Sequence, residues 1–361
     1  MLIARARTII VTSPAQSHPS TEIIWKTIDS LPLLEGELAA APITVVCDGC
    51  RPASQLDEAY AARLADRLAV HSCRFSKRGI VTDEVASNYE AFKVRLAAEA
   101  SAAGYSAERL SILTLPTHHG FAFAVKEGLQ AALAAGASHA LVVQHDRAFC
   151  RRMHARDVGS LFDHFEAQPT CRYVGFPSGT SKNLAQRTAN EYKLHALLKQ
   201  RSYDLGPGLS LRPSIFYYDS NHLVDCRKAL ELYEPYKNAS PRLRARLGGS
   251  GVNRFRLRRG DFTEERFGVE QRNLLASLRE EPALCVELFD WFGTYLVEEV
   301  LSAHAMQEAA DCFGADEEPL FFDRRGRVTF VDHIDARGMV PPSQRRAGSL
   351  RRVGAGGNFR V

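Results

Sequence analysis

Four short apolar runs set what this chain can fold into: Thr8–Thr12 (TIIVT), Ile43–Cys47 (ITVVC), Ser111–Leu115 (SILTL) and His139–Val143 (HALVV). Each is shorter than a helix and apolar nearly throughout, the pattern of a strand buried on both faces. Helical patterns lie between them. Thr21–Leu31 has Thr21 as a cap and Glu22 in the first turn, Val81–Glu99 has Thr82 as a cap, and Phe121–Ala135 is closed by Gly136. This alternation predicts an α/β fold whose mostly parallel sheet carries helices on both faces. Further on, strands are expected at Tyr173–Phe176 and Leu209–Tyr218. Helices are expected at Val158–Glu166, Thr188–Leu198, Leu223–Tyr233, Glu270–Glu280 and Cys285–Gln307.

Composition narrows the classes. With 361 residues, 45% apolar and 24% charged, the chain can build a large core, which excludes wholesale disorder. The formal charge of +4 suits anionic ligands but is too mild to indicate nucleic acid. No run approaches the roughly 20 apolar residues that span a bilayer. Met1–Arg7 leads straight into the first strand without a leader-like apolar region, so a cytoplasmic protein is expected, with peripheral membrane contact left open. Eight cysteines are too few for a disulfide scaffold. Cys47-Asp48-Gly49-Cys50 reads either as a redox or metal pair or as a strand running into a turn. Arg51-Pro52 after it, and the lack of a second CxxC, favour the turn.

In a parallel α/β sheet, functional residues collect at the carboxyl ends of the strands. The polar clusters here fall there: Ser13-Pro14, Asp48-Gly49, His118-His119-Gly120 and His145-Asp146. Asp146, at the end of a rigid strand, can ligate a divalent cation that bridges phosphates, and His145 beside it favours Mn²⁺ over Mg²⁺. Arg147 adds charge-assisted hydrogen bonds. The alternative is that Asp146 caps the next element or pairs with Arg147.

This ordered series resembles the GT-A-type glycosyltransferases, in particular the family 2-like nucleotide-sugar transferases. The resemblance spans about residues 8–337 and implies a Rossmann-type GT-A-like sheet. It places Pro14 and Asp48 at the base and ribose of the donor. It aligns His118-His119-Gly120 through Lys126 and Gly128 with a motif of Asn-x-Gly followed by a basic residue, which makes His119 and Lys126 donor-binding residues. The metal-binding Asp-x-Asp signature corresponds to Gln144-His145-Asp146, where Gln replaces the first carboxylate. Gly260–Gln271 resembles the acceptor-side segment that ends in Glu-Asp. Gln271 stands where the usual base would be, leaving Glu270, Glu264 or Glu265 for that role. A late His completes the metal or diphosphate site in many such enzymes, which points to His333, with Arg337 near it.

The implied activity is transfer of a sugar from a UDP- or GDP-linked donor to a hydroxyl of a carbohydrate or glycoconjugate, with inversion and with Mn²⁺ or Mg²⁺ as cofactor. Tyr217–His222 is suited to sugar stacking, with Asp219 and His222 as acceptor-binding residues, or is an ordinary turn. The seven arginines in Arg242–Arg259 face phosphate, an acidic acceptor or solvent. Residues 1–340 are expected to form one catalytic domain, with a donor half to about 185, an acceptor half beyond it and a flexible basic tail at 341–361. A nucleotidyltransferase is the enzymatic alternative, although Ser13-Pro14 lacks its Gly-rich basic loop. A non-catalytic carbohydrate- or nucleotide-binding relative is the other, suggested by Gln144 and Gln271.

Overall fold

The computed structural model describes residues 4–15, 17–59, 78–179, 181, 183–206, 208–248, 251–300 and 327–334. The chain enters as strand β1 (Ala6–Thr12), crosses helix α1 (Glu22–Ser30) and returns as β2 (Ile43–Cys47). A two-residue ladder of β3 (Arg51–Pro52) and β4 (Ile80–Val81) precedes α2 (Asp83–Ala102), β5 (Leu110–Thr114), α3 (Gly120–Ala134) and β6 (His139–Gln144). There follow β7 (Arg147–Phe149), α4 (Ala155–Ala167), β8 (Tyr173–Gly175), α5 (Leu184–Asn190), α6 (His195–Arg201), β9 (Tyr203–Gly206) and β10 (Leu209–Pro213). The rest comprises β11 (His222–Asp225), α7 (Cys226–Glu231), α8 (Pro235–Asn238), α9 (Pro241–Leu247), a π-helical turn (Glu264–Gly268) and α10 (Val269–Ser277). It closes with α11 (Pro282–Phe292), β12 (Thr294–Glu299) and β13 (Val331–His333).

Nine strands form one sheet in the order β5-β2-β1-β6-β11-β8-β12-β10-β9. β5, β2, β1 and β6 run parallel to one another, and only β11 and β10 oppose the common direction. The fold is therefore α/β with a mostly parallel sheet, flanked by helices. Ile9, Ile10, Val45, Val46 and Leu141–Val143 are fully buried, as expected of strands covered on both faces. Helix α3 lies so close that a Cβ on Gly128 would stand 2.6 Å from Ile9 Cγ2.

Four expected elements are corrected. Leu223–Tyr233 is not one helix, because Leu223 and Val224 are drawn into β11 between β6 and β8 and the helix starts only after Asp225. The Asp225 carboxylate caps it, accepting the Lys228 N–H at 3.0 Å. The helix begun at Pro282 does not run through Gln307. Gly293 stops it at φ 57, where a Cβ would meet Thr170 O at 1.8 Å, and Thr294–Glu299 becomes β12 between β8 and β10. Residues 301–326 lie outside the described residues. Thr188–Leu198 divides into α5 and α6 about Lys193, at φ 57. The strand expected through Tyr218 stops at Pro213.

The order of the first strands positions the site. From β1 the chain winds outward to β2 and β5, whereas β6 lies on the other side of β1. The carboxyl ends of β1 and β6 therefore border a topological switch point, where loops diverge and leave a crevice.

Candidate active site

That crevice is a cleft of about 210 Å³. Val11–Ser13 and Gln144–Asp146 line it from the ends of β1 and β6, and Asp48 from the turn after β2. His118, Gly120 and Phe121 line it from the start of α3, and Gly260 and Phe262 reach in from the second half of the chain.

Asp48 is buried and its carboxylate is engaged by its own chain. Oδ1 accepts the N–H groups of Gly49 (2.9 Å) and His119 (2.7 Å), while Oδ2 accepts that of Gly120 (2.9 Å) and lies 2.9 Å from His118 Nδ1. It thus satisfies orphan donors at the start of α3 and sets a negative charge at the positive end of that helix. Glycines make the surrounding turns possible. A Cβ on Gly49 would stand 2.4 Å from the Thr117 carbonyl carbon, and one on Gly120, at φ +75, would stand 2.5 Å from Gly260 Cα. Through that contact Gly260 N–H donates to His119 O (2.8 Å), and Phe121 stacks on Phe262 with centroids 6.0 Å apart.

At the end of β6, Arg147 Nε donates to Gln144 Oε1 at 3.3 Å. The amide in place of the first carboxylate of the expected signature leaves the guanidinium charge uncancelled at that contact. Glu264, at the start of the π-helical turn, lies within electrostatic reach of Arg147. Burial raises its carboxyl above the usual range, while the hydrogen bond from Asp219 and the charge of Arg147 act against that rise. Asp219 N–H donates to Glu264 Oε2 (3.5 Å) and Glu264 N–H to Asp219 Oδ2 (3.1 Å). Burial pushes Asp219 up to about 8, against hydrogen bonds from Glu264 and Thr263.

The structure distributes the expected site residues unevenly. Asp146, His145 and Asp48 reach the cleft, and Arg147 follows Asp146 on β7. Pro14 lies in the loop just past Ser13. His119 is buried, with its Nδ1 2.5 Å from Thr117 O, and it is His118 that lines the cleft. Lys126 lies over the rings of Phe123 and Tyr233, at 5.7 and 5.8 Å, away from the cleft lining. His222 and Asp219 belong to the core. The His222 ring packs against Tyr173 (4.6 Å) and Tyr217 (5.6 Å), and burial lowers it to about 4.

None of the three glutamates lines the cleft itself. Glu264 lies within electrostatic reach of Arg147, Glu265 is exposed, and Glu270 is half-buried on α10. Gln271 is fully buried, donating to Ser214 O (3.1 Å) and Thr294 Oγ1 (2.6 Å), so it ties α10 to β12. His333 contributes its backbone to β13, opposite Arg147, and Ile334 N–H donates to Asp146 O at 2.8 Å. Arg337 lies outside the described residues, as does the segment 341–361. The CxxC cysteines are free thiols, and burial raises both, Cys47 to about 12.

Among the described residues no three His, Cys, Asp or Glu side chains converge into a metal-ion site. Gln144 is neutral, and Asp48 is committed to the start of α3. What remains, Asp146 with His145, does not fit an ion held by protein ligands alone.

No protein-family model matches this chain, and no curated protein matches it. Similar solved structures include S. aureus TarS 1–349 in complex with UDP-GlcNAc, at 11% identity and a TM-score of 0.27, covering 48% of this chain and 34% of that one. A second is the mannosyltransferase PcManGT from Pyrobaculum calidifontis in complex with GDP-Man and Mn²⁺, at 10% identity and 0.36, covering 86% and 76%. A third is mouse xyloside xylosyltransferase 1, at 10% and 0.31, covering 77% and 83%. The match to TarS spans only about a third of that chain. At such TM-scores these likenesses assign neither activity nor substrate. No helix among the described residues is long and apolar enough to cross a membrane.

Sequence reasoning missed His118, Phe121, Gly260 and Phe262 as cleft residues. The His-His-Gly run was legible, but which imidazole faces the cleft depends on the turn that Asp48 holds. Gly260 and Phe262 belong to the segment that resembles the acceptor side, but the contacts that bring them to the cleft, on Gly120 and Phe121, join residues about 140 apart in sequence.

Proposed function

We propose that this chain is a GT-A-type glycosyltransferase that moves a sugar from a nucleoside diphosphate donor to an acceptor hydroxyl. The observation that carries the reading is the cleft at the β1/β6 switch point, lined by Asp146, with Arg147 next in the chain at the start of β7 and within electrostatic reach of the raised carboxyl of Glu264. A donor diphosphate needs positive charge at its oxygens as the glycosidic bond breaks. Arg147 supplies it, held by the neutral Gln144. Asp146 and His145 are the groups beside which a divalent cation shared with the donor phosphates would sit, and such a cation would add Lewis-acid charge to the leaving group.

Glu264 acts as general base. Its raised affinity for protons suits it to accept the proton of the acceptor hydroxyl while that oxygen attacks the anomeric carbon. The bond from that carbon to the diphosphate breaks on the opposite face, and the electron pair leaves with the nucleotide. One displacement inverts the anomeric centre. Asp48 acts on the donor through the His118–Gly120 turn that it holds. Residues 1–185 form the donor half and 186–340 the acceptor half of one catalytic unit.

Thermal shift with UDP, GDP and their sugar conjugates, with and without Mn²⁺, tests the reading. Stabilisation by one nucleoside diphosphate and release of that nucleotide from its sugar conjugate support it. Stabilisation by nucleoside triphosphates alone would favour a nucleotidyltransferase.

A further inference from the structure

A second groove, of about 580 Å³, lies apart from the cleft. It is lined by Phe123, Asn253, Arg256, Leu257, Arg258 and Arg259. Residues 235–260 contain no Asp or Glu. Phe255 and Leu257 are buried and anchor the segment, Phe255 against Phe267 and Trp291. The alternating positions Arg254, Arg256 and Arg258, with Arg259, are exposed. Upstream, Arg242 and Arg246 pair with Glu287 and Glu281, whereas the guanidinium groups of Arg256, Arg258 and Arg259 form no ion pair among the described residues; the neighbouring Asp261 carboxylate accepts the Arg258 N–H (2.8 Å) and pairs with Arg266 (3.5 Å).

Groove and cleft share one partition. Phe121 faces the cleft and Phe123 the groove from the same first turns of α3. Arg258 and Arg259 run directly into Gly260, which packs on Gly120. Guanidinium groups fixed in a row by a buried backbone suit phosphate oxygens, which they can bind in pairs.

We infer that this groove binds phosphate groups of the acceptor, so that the enzyme glycosylates a phosphate-bearing molecule whose hydroxyl enters the cleft. The acceptor role rests on the glycosyltransferase reading, whereas the anion site stands on the arginines alone.

The test uses the full chain, short inorganic polyphosphate as probe, and the triple variant Arg256→Ser/Arg258→Ser/Arg259→Ser, with the triple Lys variant as a folding and charge control. Calorimetry should show polyphosphate affinity falling at least about tenfold in the Ser variant, with partial recovery in the Lys variant and weakening by salt. Affinity for UDP or GDP should stay within about twofold, and nucleotide and polyphosphate should bind together. Unchanged polyphosphate affinity in the Ser variant overturns the inference. So does mutual exclusion of the two ligands, which would make the groove part of the donor site. Binding to phosphatidylglycerol vesicles with none to soluble polyphosphate also overturns it, in favour of a membrane surface. If no nucleotide binds the wild type but polyphosphate binding still needs the arginines, the donor reading fails while the anion site survives.

Discussion

Asp219 and Glu264 exchange hydrogen bonds crosswise, the backbone N–H of each reaching the carboxylate of the other at 3.5 and 3.1 Å. The two are 45 residues apart in sequence. Their link fastens the π-helical turn to the loop before β11 and sets Glu264 beside Arg147. Burial raises both carboxyls, so the pair resists holding two negative charges.

Glu264→Gln should therefore slow the chemical step by about 10²- to 10⁴-fold, while affinity for the nucleoside diphosphate is kept. Glu265→Gln and Glu270→Gln serve as comparisons and should change kcat by less. The acid limb of the kcat profile should lie above the ordinary Glu value of 4.5 and vanish in the Glu264 variant. If Glu270→Gln alone abolishes turnover, the base has been misplaced.

Stability should fall as pH rises across the Asp219 window. Its pKa is raised on folding, so the folded state binds the proton more tightly than the unfolded chain. The contribution is complete below about 3.8 and is lost as pH climbs through about 8. Glu264, shifted in the same direction, adds to the slope. Asp219→Asn, which keeps a carbonyl for the Glu264 N–H, should flatten the urea midpoint between pH 4 and pH 8. An equally steep variant would contradict this account.

Asp48→Ala removes the acceptor of three backbone N–H groups, those of Gly49, His119 and Gly120. At roughly 1–3 kcal/mol for each buried group left unpaired, a loss of at least about 3 kcal/mol is expected. Nucleotide affinity should weaken with it, because the His118–Gly120 turn loses its support. Urea denaturation measures the first effect and titration calorimetry the second. Wild-type stability in the variant would refute the role.

Gly120→Ala should cost about 1–3 kcal/mol from its positive φ alone, and more from the collision with Gly260. Since that contact closes one side of the cleft, the variant should also bind nucleotide more weakly. Thermal unfolding with and without UDP or GDP reports both.

Asp146→Asn should lower turnover at least about tenfold with the fold retained, the scale of losing one charge at a polar site. Circular dichroism checks the fold and single-turnover kinetics the rate. Wild-type kinetics would remove Asp146 from the site.

The sequence alone determined the α/β class and the first four strands of the sheet, because runs such as Ile43–Cys47 and His139–Val143 are apolar enough to demand burial on both faces. It also placed Asp48, His145 and Asp146 at strand ends, since a polar residue directly after a buried run emerges at the edge of the sheet. The tertiary structure decided what depends on distant partners. Leu223 and Val224 became strand only because β6 and β8 left a gap between them. Asp219 and His222 looked like surface ligands but were buried by aromatic packing around Tyr173 and Tyr217. Asp48 was drawn to the start of α3 by amides 71 and 72 residues away. Local patterning reports how much water a segment tolerates, whereas the burial and partners of a carboxylate are settled by elements that come from elsewhere in the chain.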